Sequence, residues 1–178
     1  MEAMMLYNSN KKQMAPTRAA GEAILRVFAP RMGKRYTNGR NHDRGAGQHR
    51  DVSMLSPYLR RRLVLEQDAV ATAVLEHGAE GAEKFIQEII WRGYFKGWME
   101  RRPVIWDQYR EGVTRDLMAL ARDRDLRRRV EAAEAYQTGL DYFDNWAEEL
   151  VETGYLHNHA RMWFASIWIF TLELPWRL

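Results

Sequence analysis

The chain has 178 residues, 46% of them apolar and 12% aromatic, so it can build a real core and is not an intrinsically disordered chain. It has no cysteine, which excludes disulfides, thiolate metal sites and cysteine nucleophiles and accords with a cytoplasmic location. The net charge is only +3, but Arg outnumbers Lys 22 to 5, and arginine suits bidentate contact with phosphate or carboxylate. That balance permits a nucleic-acid partner without requiring one, because solvated Arg/Glu helix faces give the same pattern. No apolar run reaches membrane-spanning length, and the N-terminus lacks a continuous apolar signal core, so no membrane association is expected.

Residues 1–15 carry no clear period and read as a loose lead-in to one domain over residues 16–178. Pro16-Thr17 opens a helix whose apolar side holds Ile24, Leu25, Val27 and Phe28, with Pro30 near its end. From Arg31 to Asp51 the chain is polar, basic and Gly-rich, which predicts a long functional or mobile loop. Ser56-Pro57 is a helix start, a hydroxyl N-cap followed by Pro at the first helical position. Such a start can hold an anion, and Ser53 adds a hydroxyl donor, although a plain N-cap is the simpler reading of these residues alone. Arg60-Arg-Arg62 reads as a solvated face. Glu66 to His77 predicts a short helix closed by Gly78.

Glu80 to Arg102 predicts a principal helix with a wide apolar face of Phe85, Ile89, Trp91 and Phe95, flanked by Ile86, Ile90, Tyr94 and Trp98. Glu88, Trp91, Arg92 and Phe95 share one side of it. Val104 to Tyr109 reads as a connector. Asp116 to Tyr136 reads as one or two exposed, structural helices. A further helix runs from Asp141 to Glu152, with Phe143, Trp146, Leu150 and Val151 inward and Gly154 as terminator. Tyr155 to Leu174 has no Gly or Pro and predicts a single helix buried nearly all round. It opens with His157-Asn-His-Ala-Arg161, whose polar groups need partners inside a core; a bound polar ligand is one way to supply them. Every periodic segment is helical, so the fold class is all-α.

Three stretches carry a resemblance. Val52-Ser-Met-Leu-Ser-Pro-Tyr-Leu59, Phe85-Ile-Gln-Glu-Ile-Ile-Trp-Arg92 and Tyr155-Leu-His-Asn-His-Ala-Arg-Met162 occur in the order of matching motifs in the cryptochrome/DNA photolyase family. The resemblance spans roughly Tyr36 to Trp176. It implies a multi-helix orthogonal bundle like that family's FAD-binding domain, with FAD as cofactor. It implies that Tyr36, Ser53, Leu55, Ser56, Arg92, Asn158 and Arg161 contact the cofactor. It places Glu88, Trp91, Asn158 and Met162 against a pyrimidine dimer in damaged DNA, and Trp176 in the electron relay. His159 stands where many dimer-repairing members have Arg, and Gly93 where many have Glu. The resemblance further implies that the antenna domain is lacking and that the chain stops before a segment completing the flavin pocket. A missing C-terminal segment or a protein partner would then cover the aromatic helix.

Other chemistries fit less well. His157 and His159 with Glu88 could be drawn as a metal site, but side chains at i and i+2 diverge on a helix, so no metal is expected. No nucleophile elbow, P-loop or dinucleotide glycine pattern is present. Two readings follow. The first is the FAD-binding module of a flavoprotein that drives light-dependent electron transfer to dimers in DNA, or senses blue light. If catalytic it is a deoxyribodipyrimidine photolyase-type lyase, with weak or no activity as this chain alone. The second is a non-catalytic helical interaction module, a remnant without flavin.

Overall fold

The computed structural model describes residues 14–178, and the expected lead-in lies outside them apart from Met14 and Ala15. Among the described residues every regular element is helical, and the chain divides into two compact units, Met1–Lys96 and Gly97–Leu178.

In the first unit, α1 (Arg18–Phe28) starts where the sequence places it. Thr17 is extended, and its Oγ1 accepts from the Ala20 N–H at 3.2 Å, satisfying one of the first turn's orphan donors. A short 3₁₀ turn (Ala29–Arg31) follows. The expected loop from Arg31 to Asp51 contains a helix instead, α2 (Lys34–Gly39), whose Tyr36 is buried. Burial of that one aromatic side chain outweighs a polar, Gly-rich composition. Helix α3 (Ser56–Arg60) has Pro57 in its first turn, but Leu55 holds the cap position and no side chain caps the helix, so the expected Ser56 cap is not made. Leu55 is fully buried, which fixes the chain's entry and leaves Ser56 exposed. Helix α4 (Glu66–Gly81) is broken where expected, by Gly78 at φ +70°, a conformation that favours glycine. Helix α5 (Glu83–Glu100) buries Phe85 and Ile89. The core gathers Phe28, Met32, Tyr36, Leu55, Tyr58 and Phe85, among others.

In the second unit, α6 (Pro103–Arg122) starts at Pro103, so the expected connector from Val104 to Tyr109 is its first two turns. Proline needs no N–H partner there and its φ is already helical. Asp123 caps α7 (Arg124–Glu134), accepting from the Asp125 and Leu126 N–H groups at 2.9 Å each. The arginines of this stretch do structural work: Arg127 donates to the Leu120 carbonyl and Arg129 to that of Leu172. Helix α8 (Asp141–Thr153) ends at Gly154 with φ +69°. Its Phe143 is completely buried and stacks on Phe164 at 4.4 Å between centroids. Leu150 and Val151, expected to face inward, are exposed.

The last expected helix is divided. Tyr155 to His157 have no regular structure, α9 covers Asn158–Ser166, and a wider π turn covers Ile167–Thr171. The Thr153 hydroxyl accepts from the Tyr155 N–H at 3.1 Å, and the His157 Nδ1 accepts from the His159 N–H at 3.2 Å. These local bonds delay helix entry by three residues. Nor is this helix buried all round, since Trp163 and Phe170 are 62% and 76% exposed. No helix among the described residues is long and apolar enough to cross a membrane.

Candidate flavin site

In the first unit, Tyr36 stands edge-on to both Phe28 and Phe85, with centroids 6.2 and 5.3 Å away. Burial pushes its phenol pKa above the ordinary value; the Glu88 carboxylate adds to that and Arg40 partly offsets it. Arg40 lies one turn after Tyr36, its guanidinium 5.9 Å from the ring centroid, and it donates to Glu88 Oε1 at 2.5 Å. Tyr36 and Glu88, far apart in sequence, thus share one arginine. Reading the sequence missed Arg40. Its i+4 spacing from Tyr36 on α2 could have revealed it, had that segment been read as a helix.

Glu88 and Arg92 share a helix face but take separate partners. Arg92 lies 3.4 Å from Glu66 across to α4, and Glu66 was a second residue that sequence reading missed. The Arg92 Nε is buried, and its contact with Glu66 is an ion pair without hydrogen-bond geometry. Trp91 is 56% exposed and packs edge-on against Tyr94 at 5.5 Å.

Ser53, Leu55 and Ser56 sit together on the turn into α3. The Ser53 Oγ accepts from the Leu55 N–H at 3.3 Å, so its own O–H remains a donor. Asp51, two residues before Ser53, anchors the chain there, accepting from Arg44 Nε at 2.7 Å and Arg35 Nε at 3.3 Å. Burial raises its carboxyl pKa, but the two arginines outweigh burial and hold it below the ordinary carboxylate value.

In the second unit, Asn158, Arg161 and Met162 come from one side of α9. Asn158 and Met162 are exposed. Arg161 Nη2 donates to the Leu156 carbonyl at 3.0 Å, tying the side chain back to the segment before the helix. His157 is buried as the cap, and the buried His159 Nδ1 has no hydrogen-bond partner among the described residues. Trp176 stands apart from this trio. It lies 6.0 Å from Tyr109, which stacks on Trp106 at 5.6 Å, and Arg177 covers its ring at 4.5 Å.

In the first unit the side chains present fit a dinucleotide cofactor: Ser53 and Ser56 offer hydroxyls on a tight turn, Arg92 a guanidinium and Trp91 an exposed aromatic plane. In the second unit the His159 ring carries a buried Nδ1 with no hydrogen-bond partner among the described residues. Among the described residues, no group of three His, Asp or Glu side chains is placed to hold a metal ion.

Comparison with known proteins agrees. A family profile described as the FAD binding domain of DNA photolyase matches residues 85–178, more than half of the chain. The deoxyribodipyrimidine photo-lyase of Thermus thermophilus is 32% identical over 168 residues, covering 91% of this chain and 36% of that protein. That of Streptomyces griseus is 32% identical over 143 residues, covering 80% of this chain and 29% of that protein. The chain spans about a third of the length of these relatives. No solved structure matches it. On these grounds the chain belongs to the photolyase/cryptochrome family, and what it shares with that family is the all-α FAD-binding domain.

Proposed function

We propose that residues 16–178 form the FAD-holding part of a cytoplasmic flavoprotein that repairs pyrimidine dimers in damaged DNA by light-driven electron transfer. The observation that carries this reading is the meeting of Tyr36 and Glu88 at Arg40, 48 positions before Glu88, within a chain of the flavin-binding family. Bound FAD would supply the light absorption and the electron. The chain's own residues would bind and orient. Ser53, Leu55 and Ser56 hold the diphosphate, with Tyr36 and Arg92 beside it. Asn158 and Arg161 present polar groups to the ring system.

Glu88 and Trp91 of the first unit, and Asn158 and Met162 of the second, would each contact the dimer. An aromatic plane for stacking and polar groups for base edges are what a flipped-out lesion requires. Arg40 holds the Glu88 side chain in place by donating to its Oε1. Trp176 would be one member of the tryptophan relay that returns electrons to the flavin. A second reading, a helical interaction module without flavin, draws on the exposure of Trp163 and Phe170.

The test is reconstitution. Purified protein is incubated with FAD, desalted, and its visible spectrum and FAD stoichiometry recorded. The flavin reading expects a yellow protein near one FAD per chain, and a large loss of bound FAD in the double variant Ser53→Ala/Ser56→Ala. A folded protein that stays colourless supports the interaction module. Light-dependent dimer repair by the loaded protein separates repair from blue-light sensing.

A further inference from the structure

Behind the Val52–Met54 segment the first unit holds a cavity of about 180 Å³. Tyr36, Leu55, Ser56 and Arg92 are not among its walls, so it is a different space from the flavin constellation, touching it only at Ser53. The walls are apolar: Met14, Ile24, Val27 and Phe28 from the α1 side, Val52 and Met54 from the loop. An apolar cavity of about 150 Å³ admits a benzene ring, so this one accepts a single ring with a short substituent.

Its polar edge is one-sided. Arg31, His49 and Ser53 line it, and no carboxylate does. Arg31 uses Nη1 on the Arg50 carbonyl at 3.1 Å, and a guanidinium has four further N–H bonds to offer. Ser53 accepts from Leu55, which leaves its O–H as a donor. A fixed positive charge and a hydroxyl donor at the mouth of an apolar pocket complement a carboxylate. The loop wall carries a second signal. Met54 has φ +54°, a left-handed conformation rare for non-glycine residues and characteristic of ligand clamps. Its flexible thioether can also adapt to a ring.

We propose that this cavity is a binding site for a small aromatic carboxylate, the ring seated between Ile24, Phe28 and Met54 and the carboxylate held by Arg31. The full chain, free of flavin, is titrated with benzoate and with the neutral analogue benzyl alcohol, binding being read by saturation-transfer NMR and by thermal shift. Benzoate is expected to bind at least about tenfold more tightly than benzyl alcohol, since a charged hydrogen-bonded contact is worth that much. Arg31→Gln is expected to erase the difference while leaving benzyl alcohol binding unchanged. Val27→Trp, at a half-exposed position that tolerates bulk, is expected to close the pocket to both with an unchanged circular dichroism spectrum. Absence of benzoate binding to the unaltered protein, equal affinity for the two probes, or a benzoate affinity unmoved by Arg31→Gln would each overturn the proposal. None of these measurements involves FAD, so they stand or fall separately from the flavin reading.

Discussion

Arg40 and Glu88 form an ion pair between a short helix inside a basic, Gly-rich segment and the middle of the long helix α5. It ties the segment before the Ser53 turn to the helix that carries Trp91 and Arg92. Both partners are partly open to solvent, so the pair contributes more to orientation than to stability.

A double-mutant cycle measures that division. Arg40→Met, Glu88→Gln and the combined variant are expected to show a coupling of about 0.2–1 kcal/mol in urea unfolding. A coupling of several kcal/mol would mean that the pair is part of the core's support rather than a device for aiming the carboxylate.

Asp51 makes the Ser53 turn sensitive to acid. Its carboxyl pKa is lower in the folded chain than in the unfolded one, so the unfolded state takes up protons first as the pH falls. Its contribution is therefore complete above the ordinary carboxylate pKa and is lost as the pH drops through the depressed folded value. Amide exchange of residues 50–55 is expected to speed up across that acid window and to be flat in Asp51→Asn. Equal acid profiles in the two proteins would contradict this.

Gly39 and Gly93 should respond oppositely to the same substitution. A Cβ on Gly39 would lie 2.7 Å from the Asp51 side chain, so Gly39→Ala must displace that anchor and is expected to cost about 1–3 kcal/mol. A Cβ on Gly93 meets nothing within 4 Å and the residue lies inside α5, so Gly93→Ala is expected to stabilise by about 0.5–1 kcal/mol. Thermal melts of the two variants decide both signs.

Phe143 and Trp163 form a second contrast, in the second unit. Phe143 is fully buried against Phe164 and Trp168, so Phe143→Ala is expected to cost about 3–5 kcal/mol. Trp163 is mostly exposed, and Trp163→Ala is expected to stay within about 0.5 kcal/mol of the unaltered protein. A large loss at Trp163 in dilute solution would show that its ring is covered there.

Much of the helix inventory was legible because its signals are local. Thr17 as a cap, Gly78 and Gly154 as breaks and Phe143 as a core residue follow from side-chain chemistry within one or two turns. The errors fell where distant burial competes with local preference. Tyr36 folds α2 out of a loop-like composition because Phe28 and Phe85 receive its ring. The connector expected over Val104 to Tyr109 is helical because Pro103 begins α6, and a proline between two polar stretches suits the end of one helix as well as the start of the next. The periodicity of the aromatic C-terminal stretch fits one buried helix, and it carries no trace of the bonds of Thr153 and His157 that postpone its start.

The amino-acid sequence by itself determined the helical class, several helix ends and the family, because capping, glycine breaks and three ordered motifs are properties of neighbouring residues. Only the tertiary structure decided which charges meet. It gave Glu88 to Arg40, Arg92 to Glu66 and Asp51 to Arg35 and Arg44, and left Trp91 open to solvent. The reason is physical: ion pairs and exposure depend on which helices the core brings side by side, and that is a property of packing between segments, not of any one of them.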